Sequence, residues 1–145
     1  MSKKRIAFVH YPRSVDFAIL ETMPFALHII KALDIAGWKV DLFLWENEQT
    51  NYSNYFSDNV NITRLYSCNK NRIIKNEQFD WLNYINDPLI RLEIKKTPDY
   101  EVVFGLGQFG IYIASLIAQS CHSPYFYIND EFPSSYASSF WSYWH

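Results

Sequence analysis

Residues 105–110, Gly105-Leu106-Gly107-Gln108-Phe109-Gly110, are a literal G-x-G-x-x-G set between an apolar run and a helix-forming stretch. In dinucleotide folds such glycines allow a tight turn, close approach of backbone to a pyrophosphate, and tight helix–strand contact. Asp130 follows Gly110 by twenty residues, about where a ribose-binding acid belongs. Position in the chain opposes nicotinamide or flavin binding, because that fingerprint belongs on a first strand with several more to follow. The alternative is a plain strand-to-helix turn, with Gly105 and Gly107 giving a ligand room at the helix N-terminus. Asn129-Asp130-Glu131 form a second group. Paired acids there suit hydroxyl orientation or general-base work, and capping of a following helix competes for them, with Ser134 and Ser135 as rival caps. His10 is a third candidate, a hydrogen-bonding partner or base near neutral pH. Arg13 offers a planar fork for an anionic group, or is a plain surface charge.

These residues share a location only if the chain alternates strands and helices. Ile6-Ala7-Phe8-Val9 is a short continuous apolar run, the mark of a strand covered on both faces. Met23, Ala26, Leu27, Ile30 and Leu33 recur at helical spacing and predict a helix over Thr22 to Ala36, with Pro24 near its start and Gly37 just past its end. Val40 to Trp45 reads as the next strand. The polar, Asn-rich middle offers a strand at Val60 to Tyr66, a helical stretch at Gln78 to Ile85, and a helix begun by Pro88 and ended before Pro98. Val102-Val103-Phe104 predicts a strand ending in Gly105, Phe109 to Ser120 a helix, and Tyr125 to Ile128 another strand. Such alternation implies a three-layer α/β domain with a mostly parallel, Rossmann-like sheet and right-handed crossovers. Its ligands bind at the carboxyl ends of the strands, so the loops at His10 to Phe17, Gly105 to Gly110 and Asn129 to Ser135 matter most.

The 145 residues suit one domain, taken as 1–135, followed by an aromatic tail at 136–145. Tyr136, Phe140, Tyr143 and Trp144 would form one helical stripe, which asks for a cover on the sheet, in another chain or in further sequence. Thirteen Lys+Arg against 15 Asp+Glu, a formal charge of -2, give no electrostatic reason to expect nucleic acid. Cys68 and Cys121 make no disulfide framework, and with no apolar stretch near the ~20 residues of a membrane span the expectation is a cytoplasmic protein. Lys3, Lys4 and Arg5 are a solvated terminus or a grazing contact with an anionic membrane surface. The four histidines and two cysteines lack metal-ligand spacing, so no metal is expected. His28 reads as structural, near the apolar stripe of its helix. No G-x-x-x-x-G-K-[ST] or G-x-S-x-G is present, which removes P-loop and α/β-hydrolase chemistry.

In order, the pieces resemble the N-terminal half of a GT-B glycosyltransferase, especially the retaining family-4 type. The resemblance rests on Lys4 to Tyr11, on "ALHIIKALDIAGWKVDLFLWE" ending at Glu46, on "YEVVFGLGQFGIYIAS" at Tyr100 to Ser115, and on "SPYFYINDEFPSSY" at Ser123 to Tyr136. It departs from the family where a Gly-Gly loop is usual after the first strand, since Pro12 to Asp16 contain no glycine. It implies transfer of a sugar from a nucleotide-sugar donor to a hydroxyl acceptor (sugar, lipid or protein), with no further cofactor and no metal. His10 and Asp130 would stand in catalytic positions, and Arg13, Gly105, Gly107, Asn129 and Glu131 would line the acceptor side. The donor-binding second domain would be absent from this chain, leaving it inactive alone unless further sequence or a partner chain completes the cleft. Two alternatives stay open: a dinucleotide-dependent oxidoreductase domain using Gly105 to Gly110, and a non-catalytic assembly module.

Overall fold

The computed structural model describes residues 4–10, 24–45, 50–66 and 87–128. They form β1 (Arg5–His10), α1 (Pro24–Ile35), β2 (Lys39–Trp45), β3 (Val60–Leu65), α2 (Pro88–Ile94), β4 (Val102–Leu106), α3 (Gly107–Cys121) and β5 (Tyr125–Ile128). The five strands pair in the order β3-β2-β1-β4-β5, and every pairing is parallel. The expected α/β, Rossmann-like architecture is present, with an apolar layer on each side of the sheet. On one side Phe8, Leu42, Leu44 and Leu106 pack with Ala26 and Ile30 of α1 and with Tyr52 and Phe56. On the other, Ala7, Val9, Phe43 and Val103 pack with Ile90 of α2 and Ile113, Ala114 and Ile117 of α3. The β1→β2 and β4→β5 crossovers run in opposite directions along the sheet, so one hand of connection puts α1 and α3 on opposite faces. That is why β1, at the centre, is apolar along almost its whole length.

The α1 C-terminus is closed by backbone alone. Gly37 takes φ +85, its N–H donates to Asp34 O, and Trp38 N donates to Leu33 O, the paired bonds of a Schellman ending. Asp87 caps α2, accepting from Leu89 N at 3.0 Å and Ile90 N at 3.4 Å, with Pro88 following it as the first helical residue.

Asp34, buried on α1, ties that helix to the turn before β3. Its carboxylate accepts from Ser57 N at 2.9 Å and from Ser57 Oγ, with Lys31 Nζ at 3.8 Å. Burial pushes this carboxyl up, but the Ser57 hydroxyl and amide and the Lys31 charge outweigh it, and the net pKa lies below the ordinary value. A lowered native pKa contributes stability that is present above the unfolded value of 3.8 and disappears as pH falls through the native one. Asp34→Asn is therefore expected to cost about 2 kcal/mol at neutral pH. Urea midpoints of variant and wild type should converge below pH ~3.

Three expectations need correction. Residues 105–110 are not a loop: β4 runs on through Leu106, and α3 begins at Gly107 rather than Phe109. The strand passes directly into the helix because the glycines let the two lie in contact. The room at Gly105 and Gly110 is filled by the protein's own backbone, not kept for a ligand. A Cβ at Gly105 would stand 2.4 Å from Ile111 Cα, and one at Gly110 would stand 2.5 Å from Val9 O. Finally, His28 is exposed on α1 between half-buried neighbours, so it is no part of the core. The expected helix at Gln78 to Ile85, the loop after His10 and the aromatic tail lie outside the described residues.

Candidate functional site

The strand order reverses direction between β1 and β4, since the chain steps from β1 to β2 on one side and later from β4 to β5 on the other. In open parallel sheets the helices on either side of such a reversal diverge and leave a crevice beyond the carboxyl ends of the two strands. The residues at that edge are fixed by register. Arg64 stands beside Leu44, Leu44 beside His10, His10 beside Leu106, and Leu106 beside Ile128. Adjacent positions are ~4.8 Å apart, so His10 and Ile128 are separated by roughly 10 Å of sheet.

His10 ends β1 in the middle of this row. Side chains alternate along a strand, so His10 shares the α1 face with Ile6 and Phe8. It is 1% exposed and lies between Leu44 and Leu106, both fully buried. On the other side of β4, α3 starts at once. Its N-cap, Leu106, is extended (φ -103, ψ 125) and supplies no side-chain cap hydrogen bond. The first amides of this fifteen-residue helix therefore end at the row without a side-chain acceptor from the cap. Gly110 seats the helix hard on the Val9 carbonyl, one residue before His10. The reversal thus has a buried imidazole at the end of β1 and the positive end of a helix dipole beside it, and a helix N-terminus favours an anionic group.

The structure brings His10, Gly105 and Gly107 to this edge. Gly105 is buried, and its missing side chain makes space for Ile111. The chain leaves β5 at Ile128 toward Asn129, Asp130 and Glu131, which with Arg13 lie outside the described residues. Among the described residues no cluster of three His, Cys, Asp or Glu could hold a metal ion, and no helix is long and apolar enough to cross a membrane. Cys121 is half-buried, its Sγ donating to Ile117 O at 3.2 Å.

Two polar features escaped the sequence. Arg64 shares the crevice row, and its Nη2 donates to Thr50 O at 3.3 Å beside a 480 Å³ cavity flanking β3. The signal was present in the alternation Val60, Ile62, Arg64 on one face of a strand. At the opposite end of the sheet, Tyr100 Oη donates to Asp41 Oδ2 at 2.6 Å, and Arg5 Nε lies 3.5 Å from the same oxygen. An acid inside the otherwise apolar run Val40 to Trp45 was the clue, since a buried carboxylate requires a partner. This cluster lines a separate 340 Å³ cavity with Asn61, Thr63, Glu93 and Lys96, away from the crevice.

The fold is that of a Rossmann-like domain. Among solved structures it is similar to CalG4, the calicheamicin glycosyltransferase, with a TM-score of 0.60 and 12% identity. The match covers 99% of this chain and 37% of CalG4, so the chain spans well under half of that enzyme's length. The C-terminal domain of the PF1911 hydrogenase from Pyrococcus furiosus aligns at TM-score 0.48 and 13% identity, over 88% of this chain and 92% of that one. No family model matches the sequence. No curated protein matches it.

Proposed function

We propose that this chain forms the acceptor side of a glycosyl-transfer cleft, in which a hydroxyl oxygen bonds to the anomeric carbon of a nucleotide sugar as the bond from that carbon to the diphosphate breaks and the nucleotide departs. The observation that carries this is the register row placing His10, Leu106 and Ile128 together at the reversal of the sheet. It is supported by the whole-chain likeness in fold to part of a glycosyltransferase. In this scheme His10 receives the acceptor hydroxyl's hydrogen bond and can draw its proton, and Asp130 is the acid that contacts the acceptor. Arg13, Gly107, Asn129 and Glu131 line the acceptor pocket, and the N-terminus of α3 favours any negative charge that approaches it. Alignment of two bound reactants supplies much of the rate, so the donor must be held by a second half. That half comes from further sequence or from a partner chain, and no cofactor beyond the nucleotide sugar is needed. We place the reaction in the cytoplasm, where nucleotide sugars and unpaired cysteines coexist. A GT-B enzyme of the family-4 kind is the finer assignment, on the sequence pieces named above.

The dinucleotide alternative has no specific observation in its favour, because Gly105 and Gly110 are required by helix–strand contact with or without a pyrophosphate. The test is titration of the purified chain with hydroxyl acceptors, with a nucleotide sugar, and with NAD(H), read by NMR at the His10 ring and the Leu106 amide. Acceptors are expected to shift both signals, and His10→Gln to weaken that binding about tenfold, or roughly 1.4 kcal/mol. The chain alone should show no transferase turnover. Tight NAD(H) binding at the same signals, or sugar transfer by the isolated chain, contradicts the proposal.

A further inference from the structure

We propose that the 340 Å³ cavity toward the amino ends of β1, β2 and β3 is a binding site for a neutral vicinal diol, a monosaccharide or a small polyol. Register places Asp41 beside Asn61 and Phe43 beside Thr63, and alternation puts these four residues on the face that α2 covers. On that face Leu65 joins the apolar layer with Ile90 and Ile94 of α2, whereas Asn61 and Thr63, nearer the amino end, line the cavity instead. Arg5, the first residue of β1, lines it from the neighbouring strand. The carboxyl ends of the strands, where His10 stands, are at the other end of the sheet. The site is therefore separate from the acceptor crevice and does not depend on that reading.

Hydrogen bonding in the cavity is incomplete in both senses. Asp41 is 5% exposed, and its hydrogen bond from Tyr100 Oη and its ion pair with Arg5 both go to Oδ2, so among the described residues Oδ1 has neither. Arg5 Nε is enclosed and makes no hydrogen bond among the described residues. Asn61 and Thr63 add an amide and a hydroxyl, each able to donate and to accept. Charge then decides the class of ligand. The lining holds two cations, Arg5 and Lys96, and two anions, Asp41 and Glu93, and each cation already faces an anion. Arg5 Nε lies 3.5 Å from Asp41 Oδ2, and Lys96 Nζ lies 2.9 Å from Glu93 Oε1. An anion drawn to Arg5 would meet the Asp41 carboxylate, and a cation drawn to Asp41 would meet the guanidinium. A hydroxyl carries no charge, donates to a carboxylate and accepts from an N–H, so two adjacent hydroxyls satisfy Asp41 and Arg5 together. The volume lies at the low end of the ~300–1,000 Å³ of small-molecule sites, which suits one sugar ring rather than a whole nucleotide sugar.

The probes are methyl glucoside and glycerol, titrated into the purified full chain and read by NMR at the Asn61 and Thr63 amides, with the Leu106 amide reporting on the crevice. The glucoside is expected to shift the two β3 amides saturably, with a Kd on the order of 1 mM. Saturation by the glucoside alone assigns the site to a sugar ring, and saturation by both assigns it to polyols in general. Sodium sulfate and methylammonium chloride at the same concentrations should leave those amides in place. Asn61→Ala and Thr63→Ala, at an exposed and a half-buried position, should each weaken binding about fivefold, the loss of one hydrogen bond. Arg5→Lys keeps the charge beside Asp41 and loses the planar fork, and should weaken it about tenfold. Thermal melts establish that each variant is folded, and the two β3 variants carry the test if Arg5→Lys is not. The proposal is overturned if neither diol saturates by roughly 100 mM, if either salt binds more tightly than the glucoside, or if both alanine variants keep full affinity. A response at Leu106 alone overturns it too while supporting the acceptor crevice, so the two readings fail separately.

Discussion

Gly110→Ala is expected to destabilise the domain by about 3 kcal/mol, and Gly105→Ala by at least as much. The reason is the identity of the atoms in the way. The new methyl at Gly110 would lie 2.5 Å from Val9 O, and at Gly105 2.4 Å from Ile111 Cα and 2.7 Å from Ile111 N. These are main-chain atoms of the central strand and of α3, so no rotamer change relieves the overlap. The helix must lift from β1 or the strand must bow, and either opens the apolar layer that Val9, Ile113 and Ile117 share. Gly37 is the contrast: its surroundings are open, and alanine there meets only the ordinary cost of positive φ, about 1 kcal/mol. Urea unfolding of the three variants reads the difference. A loss below ~1 kcal/mol at Gly110 would falsify the steric account. Because Val9 precedes His10, Gly110→Ala is also expected to move the imidazole, and its NMR signal with it.

The second large effect is expected at the buried polar cluster. Asp41→Ala removes the carboxylate that accepts from Tyr100 Oη and forms an ion pair with Arg5, and leaves both groups without it. Arg5 Nε is enclosed and makes no hydrogen bond among the described residues, so the carboxylate's charge is what offsets its burial. The Arg5 side chain is 38% exposed, so water screens the loss and the expected cost lies below the ~3–5 kcal/mol of a fully buried pair. Tyr100→Phe, which removes one neutral donor and keeps the carboxylate near Arg5, should cost about 1–2 kcal/mol. The two variants therefore separate the ion pair from the phenol in a single set of denaturation curves. Burial, and after it the Asp41 carboxylate, push the Tyr100 phenol far above its ordinary value. The sign follows: a raised native value contributes stability that is complete below pH ~10 and is lost above it, as the unfolded chain ionises and the native one does not. Wild type should lose stability faster than Tyr100→Phe as pH rises past ten.

Much of the molecule was legible in its residues. The apolar run Ile6 to Val9 announced a strand covered on both faces, and the stripe of Ala26, Leu27, Ile30 and Leu33 announced α1. Pro24 and Gly37 marked that helix's ends, because their backbone preferences are local. The start of α3 was misplaced for the opposite reason. Glycine's low helix propensity argues for a loop at Gly105 to Gly110, whereas the contact with β1 rewards the absence of side chains and extends both elements toward each other.

Element types, the alternation that makes the sheet parallel, and the placing of His10 at a strand end were set by sequence alone, through periodicity and turn chemistry that act within a few residues. The order β3-β2-β1-β4-β5, the alignment of His10 with Leu106 and Ile128, and the pairing of Tyr100 with Asp41 across 59 residues were decided only in the folded chain. Those features depend on which faces meet and in what register, and such long-range energies leave no periodic trace in the sequence.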